Sequence, residues 1–248
     1  MRKRAGRTAT AVAVVVGTLA ASGCVGVEVP SDSPAGPTGR PGGKAQNGYA
    51  FVRTRGNGEP VRWSTCEPIE YVVRPANEPD GARELLGDAV DRISAATGLE
   101  FSFAGTTDEG PSANRQPFHP DRYGDRWSPV LVAYSDPAEY GRLKGRAAGF
   151  GGPVFVRRSG APPRYVSGTV VLDVEQLSSM SDDSVRAVMM HELAHVVGLA
   201  HVKDRGQLMN AVQYGRQVTT LQDGDLAGLR RVGNGKCYEP IEPRGFSG

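Results

Sequence analysis

The chain has 248 residues, of which 39% are hydrophobic and 23% are charged, so it can bury one core of ordinary size. Its formal net charge is only +2, and much of the excess lies in Arg2, Lys3, Arg4 and Arg7 at the start. Because no basic stripe remains that would neutralise phosphates, the composition argues against nucleic acid as a partner.

The opening residues predict a signal peptide over 1–23. The first cations precede TATAVAVVVGTLAA, which is too short to span a bilayer but has the length of a signal-peptide core. The run ends in LAASGC, which resembles a bacterial lipobox and would make Cys24 a lipidated residue that anchors the chain to the outer face of the cell membrane. Ala21 stands where leucine is commoner, so free secretion after ordinary cleavage is the alternative.

Residues 24–48 predict a disordered linker. The stretch is rich in Pro, Gly and Ser and offers almost nothing to bury, so it should act as a tether that holds the domain off the membrane. Residues 49–248 then form a single folded domain, which we expect to be a monomer.

The three cysteines are an odd number for an exported protein. If Cys24 carries the lipid, Cys66 and Cys237 remain to form a disulfide that ties the two ends of the domain together. The alternative is two buried free thiols.

The folded part alternates between strands and helices. The run IEYVV at Ile69–Val73 is β-branched and aromatic, as in a strand, and Asp80–Thr97 has helical apolar spacing that stops at Gly98. Four further strands are predicted at Leu99–Phe103, Val130–Tyr134, Pro153–Arg157 and Thr169–Asp173. The pattern predicts an α+β domain with a five-stranded mixed sheet.

The run HELAHVVGLAH predicts a metal centre. His191 and His195 are four residues apart and therefore lie on one face of a helix that opens at Ser181, with Glu192 beside them. Gly198 suits a left-handed helix end, after which the chain can present His201 as a third ligand. Three ligands leave one position open, as in a catalytic zinc site, and no cysteine lies near the motif. His119, in a polar loop, is expected to be solvated.

HExxHxxGxxH is the zinc signature of the metzincin metallopeptidases, and the chain resembles them, with a look closest to bacterial matrixin-like enzymes. The resemblance implies zinc bound by His191, His195 and His201, and a turn under the zinc that contains Met209. It also implies a zinc helix that floors the cleft. Val202 and Ala211 depart from the patterns of individual subfamilies, so none is assigned, and Tyr214 is not taken as a ligand.

The last predicted helix runs from about Leu221 to Val232. Thr220 and Asp223 have the spacing of a capping box at its start, and Leu226 and Leu229 should be buried.

These features predict a zinc-dependent endopeptidase that acts on proteins or peptides, with Glu192 as general base. The alternative is a catalytically silent zinc-binding surface lipoprotein that holds a peptide or cell-wall partner. Metzincin substrates lie along an exposed strand edge, for which Ala148–Val154 is a candidate, with glycines that would admit a substrate backbone. An ordinary turn is the favoured interpretation of this stretch.

Overall fold

A computed structural model describes residues 26–28, 48–145, 147–158, 160–211 and 218–243. The predicted signal peptide, Cys24, Tyr214 and most of the predicted linker lie outside these residues. In the described part of the chain, no helix is both long and apolar enough to cross a membrane.

The described elements alternate between strands and helices along the chain. Their order is β1 (Gly26–Glu28), β2 (Ala50–Phe51), β3 (Ile69–Arg74), α1 (Ala82–Thr97), β4 (Phe101–Thr106), α2 (Pro120–Tyr123), β5 (Val130–Ser135), a short 3-10 helix (Gly141–Leu143), β6 (Gly149–Arg157), β7 (Arg164–Asp173), α3 (Val174–Leu177), α4 (Asp182–Val197), β8 (Leu199–Ala200) and α5 (Asp223–Gly233).

The main sheet has the order β1-β6-β7-β5-β3-β4. Strands β4, β3, β5 and β7 are parallel neighbours, and β6 is antiparallel to β7. The predicted five-stranded mixed sheet and the α+β class are thereby confirmed. The sixth strand, β1, consists of three residues that were predicted as linker, and it pairs antiparallel with the end of β6.

The centre of the sheet, at β5, is buried on both faces. One face packs under α1 and α4 in the main core, to which β5 contributes Val130, Val132 and Tyr134. On the opposite face, Leu131 and Ala133 pack against Tyr123 of the short helix α2. Strands buried on both faces form continuous apolar runs, which explains how β5 could be predicted from sequence.

Strand β6 is longer than predicted, and the turn favoured for Ala148–Val154 is wrong. Gly149–Val154 forms the first part of this strand, in register with Gly168–Leu172 of β7 over most of its length. A glycine-rich stretch can be a strand here because another backbone approaches it closely.

The close backbone belongs to helix α4, which carries His191 and His195. A Cβ atom on Gly149 would lie 2.9 Å from Cγ of Glu192, and one on Gly151 would collide with the Glu192 carbonyl group. These two glycines therefore let β6 cross directly over the helix at the predicted general base. Gly152 has open space at its Cβ position.

The disulfide between Cys66 and Cys237 is present, which confirms the predicted pairing. It links the segment before β3 to the segment after α5. Tyr238, the next residue, lies between the guanidinium groups of Arg55 and Arg164, at 5.9 and 5.0 Å from its ring centroid. The C-terminal segment is thus fixed to the start of the domain.

The final helix begins two residues later than predicted, and its capping box is a different pair. Gln222 is the N-cap residue, and its backbone N–H donates to the carboxylate of Asp225 at 2.9 Å. The predicted box of Thr220 and Asp223 is wrong, because the same three-residue spacing recurs two positions later in the sequence. Leu229 is buried as expected, whereas Leu226 is only half-buried.

Candidate active site

Helix α4 positions the first two histidines of the site. The first turn of the helix contains the acidic residues Asp182 and Asp183. Gly198, which has a left-handed φ of 118°, caps its C-terminal end. His191 and His195 lie one turn apart, with ring centroids separated by 4.8 Å. Gly198 is needed where the chain reverses, because a residue with a side chain is strained at this φ.

A short strand after the helix brings in the third histidine. Strand β8 pairs with β2, and the Val52 N–H donates to the Gly198 carbonyl at 2.9 Å, so the chain is held as it leaves the helix. His201 follows immediately, and its ring lies 4.6 Å from that of His195. The structure therefore brings together all three histidines that the sequence predicted.

The three Nε2 atoms converge on one point. They are 3.0 Å apart between His191 and His201, 3.1 Å between His195 and His201, and 3.2 Å between His195 and His191. A tetrahedral zinc with bonds of about 2.0–2.1 Å places its ligand nitrogens about 3.3–3.4 Å apart. The observed triangle is close to that size.

The other ring nitrogens fix how the histidines are protonated. Nδ1 of His191 donates to the Leu208 carbonyl at 2.8 Å, and Nδ1 of His195 donates to the Leu199 carbonyl at 2.7 Å. In a neutral imidazole the Nε2 atom then carries a lone pair. Lone pairs that meet at 3 Å repel unless a cation lies between them, so the donor set fits a zinc ion.

Burial keeps the imidazoles neutral. Desolvation, together with the nearby His201, lowers the pKa of His191 to about 4, although the bond to Leu208 acts in the opposite direction. Desolvation also lowers the pKa of His195 well below 6.5 and reduces that of His201. All three groups are thus in their metal-binding form at neutral pH.

Glu192 lies inside the helix–sheet junction. The residue is only 7% exposed; its side chain lies against Gly149 of β6, and its backbone lies against Gly151. Burial raises the pKa of its carboxyl to about 8. A carboxylate whose pKa is raised binds a proton more strongly than a solvated one, as suits a group that must take up a proton.

Met209 is buried in the turn that follows His201. It is 1% exposed, and its carbonyl accepts a hydrogen bond from the Val202 N–H at 2.9 Å. The preceding residue, Leu208, is the one whose carbonyl holds the His191 ring. The turn therefore supports the metal-binding face of α4.

Asp225 is a site-supporting residue that the sequence did not reveal. Its carboxylate is fully buried on α5 and accepts hydrogen bonds from the N–H groups of Leu208 and Met209, at 2.8 and 3.1 Å. Burial raises its pKa, while the backbone donors lower it, with a net increase. Only its position three residues after Gln222 hinted at a role, and that hint concerned helix capping alone.

His119 does not join the cluster. It precedes α2 and is half-buried rather than solvated, and its Nε2 atom has no hydrogen-bond partner among the described residues. The group of side chains that could hold a metal among the described residues consists of His191, His195 and His201.

Comparison with known families gives the same assignment. Residues 144–232, from just before β6 into α5, match the family model of the matrixin peptidases. No curated protein matches the chain. This match, the fold and the histidine cluster support a matrixin-like metzincin domain in this part of the chain.

Proposed function

We propose that the protein is a zinc-dependent endopeptidase in which Glu192 moves the proton. The observation that carries this proposal is the convergence of three neutral imidazole nitrogens beside one buried carboxyl group. Zinc bound at His191, His195 and His201 would supply Lewis acidity, which polarises a peptide carbonyl and lowers the pKa of an attacking water.

The residues of the chain perform the remaining steps. The Glu192 carboxylate accepts a proton from the attacking water and then delivers it to the leaving amine. The close approach of Gly149 to this carboxyl excludes bulk water from one side of it. Burial raises the pKa of this carboxyl, which favours the uptake of the proton.

A polypeptide substrate would pair with the outer edge of β6. The first half of this strand passes over Glu192, and its inner edge is already paired with β7. An extended peptide that adds to the outer edge gains main-chain hydrogen bonds and reaches the cluster. The alternative of a silent zinc-binding lipoprotein is not favoured, because Glu192 is intact and buried at the cluster.

The test is peptide cleavage by the purified chain with and without metal. We expect a chelator to abolish cleavage and zinc to restore it. Glu192→Gln should retain zinc but lose activity by about a hundredfold or more, because the proton acceptor is gone. The matched control is Glu175→Gln, which changes an exposed glutamate on α3. Full activity of the Glu192 variant, or cleavage that persists in chelator, would contradict the proposal.

We also infer that the protein is exported and anchored through a lipid on Cys24, with free secretion as the alternative. The support is the apolar run and the LAASGC sequence. Metabolic labelling with a fatty acid tests this inference. Label should enter the wild type and be lost in Cys24→Ala, and an unlabelled wild type would favour secretion.

A further inference from the structure

The outer edge of β6 is an acceptor for extended chain segments, and part of it is occupied. Among the described residues, the segment that pairs with this edge is β1. Gly26 lies opposite Arg157, Val27 opposite Val156 and Glu28 opposite Phe155. The first part of the same edge, Gly149–Val154, pairs with no strand of the described chain on that side.

The direction of β1 relates it to the active site. Strand β6 begins over Glu192, at Gly149 and Gly151, and runs away from it toward Arg157. Because β1 is antiparallel to β6, its chain direction points back toward Glu192. A peptide substrate added in the same orientation would have its N-terminal residues beside Phe155–Arg157.

The register gives the distance in residues. Glu28 pairs with Phe155, so a segment that continued in this register would lie opposite Gly151 four residues further on. At about 3.3–3.4 Å per residue, that corresponds to about 13 Å along the edge. A substrate with fewer than four residues before the position opposite Gly151 therefore ends short of β1.

We propose that Gly26–Glu28 occupies the part of the β6 edge that binds the N-terminal end of long polypeptide substrates, and so competes with them. This inference rests on the proposed peptidase function. Substrates that are short on the N-terminal side bind beside Glu192 without displacing β1, whereas longer ones must replace it. The chain thereby disfavours substrates that extend far on the N-terminal side of the cleaved bond.

The competition should be moderate in size. A strand of three residues makes few backbone hydrogen bonds, and each has a small net value in water. Its attachment to the same chain nevertheless gives it a high effective concentration at the edge. Removal of β1 should lower the KM of a long substrate by about threefold to tenfold, with kcat unchanged.

The experiment replaces Gly26–Glu28 with three prolines, which cannot donate hydrogen bonds to a strand ladder. The control replaces residues 43–45 with three prolines in the same chain. Two peptides share one cleavage sequence but carry three or eight residues before the scissile bond. We expect a lower KM for the long peptide only, in the 26–28 variant only. An unchanged KM for the long peptide would overturn the proposal.

A second measurement does not depend on catalysis. Backbone amide exchange of Phe155–Arg157 should become faster in the 26–28 variant and remain unchanged in the 43–45 control, because β1 protects that edge. If no form cleaves either peptide, the proposed function fails, and faster exchange still supports the pairing. Unchanged exchange in the 26–28 variant would show that β1 does not occupy the edge.

Discussion

At the scale of single residues, the histidine cluster is held by hydrogen bonds from residues outside the HELAHVVGLAH motif. The carboxylate of Asp225 holds the N–H groups of Leu208 and Met209, and the Leu208 carbonyl holds the His191 ring. This chain of contacts links α5 to a metal ligand through one turn of backbone. Groups that orient a metal-binding histidine contribute substantially to metal affinity.

Asp225→Asn should therefore weaken zinc binding. The backbone N–H groups of Leu208, Met209 and Gln222 share the two carboxylate oxygens. An amide can accept only at its one oxygen, so at least one of these N–H groups loses its partner and the turn that contains Leu208 is free to shift. We expect zinc to dissociate about tenfold to a hundredfold faster, measured by transfer to a chromogenic chelator.

The matched control is Asp223→Asn, which changes an exposed aspartate in the first turn of the same helix. Its dissociation rate should equal that of the wild type. If both variants lost zinc equally fast, the effect would come from helix charge and not from the bond to the turn. The Co²⁺-substituted protein gives a further readout, because its absorption bands report ligand geometry and should shift in the Asp225 variant only.

At the scale of elements, the contact between β6 and α4 decides the shape of the site. The strand crosses the helix at Glu192, and the crossing is possible because Gly149 and Gly151 lack side chains. The same approach buries the Glu192 carboxyl and raises its pKa. Helix–strand packing and proton chemistry are thus set by one contact.

Gly151→Ala should damage this contact, because its methyl group would collide with the Glu192 backbone. We expect a loss of about 1–3 kcal/mol in the free energy of unfolding, which is typical of an overpacked core, together with reduced activity. Chemical denaturation measures the first effect and peptide cleavage the second. Gly152→Ala is the matched control, since its methyl group would enter open space. Equal stability of the two variants would disprove the packing argument.

A buried ion pair fixes the loop between β4 and β5 to the sheet. Arg115 forms two hydrogen bonds with Glu109, at 2.8 and 3.0 Å, and also donates to Ser167 and to the Gly168 carbonyl on β7. Both partners of the pair are buried. Burial favours the neutral form of Glu109, but the hydrogen bonds and charge of Arg115, together with the hydrogen bond from Tyr123, outweigh it and lower the pKa of that carboxyl below its ordinary value.

This pair predicts a specific dependence of stability on pH. Since the folded protein holds Glu109 at a lower pKa than the unfolded chain does, the ionised form stabilises the fold above the ordinary value of about 4.3. The contribution is lost as the pH falls through the lower folded-state pKa. Thermal unfolding from pH 7 to pH 3 should show a smaller acid-induced loss in Glu109→Gln than in the wild type. If the wild type and Glu109→Gln lost stability equally as the pH fell, Glu109 would not be the source of this pH dependence.

At the scale of the whole molecule, features encoded in short stretches could be predicted from sequence. The zinc triad, the Gly198 helix end and the buried strand β5 each depend on spacing or composition within a few residues. The disulfide followed from the number of cysteines. Asp225, the glycine contact with Glu192 and the Arg115 pair could not be predicted, because their partners lie many residues away in the chain. Backbone pairing by Gly26–Glu28 likewise leaves no signal in a linker-like composition.

The disulfide joins the two ends of the domain. We expect it to make a large contribution to the free energy of unfolding. Cys66 and Cys237 are separated by 171 residues, so the bond restricts a long loop in the unfolded chain. The loop-entropy model assigns about 4 to 5 kcal/mol to a closure of this size. The double variant Cys66→Ser/Cys237→Ser should lose a large part of that free energy in chemical denaturation at pH 7. Reduction of the wild type should produce the same loss and should leave the variant unchanged.

Because the active site is built from α4, β6 and α5, zinc binding by the variant should persist at temperatures below its unfolding transition. Wild-type stability in the double variant would mean that the contacts of the C-terminal segment, such as Tyr238 between two arginines, hold the ends together without the covalent bond.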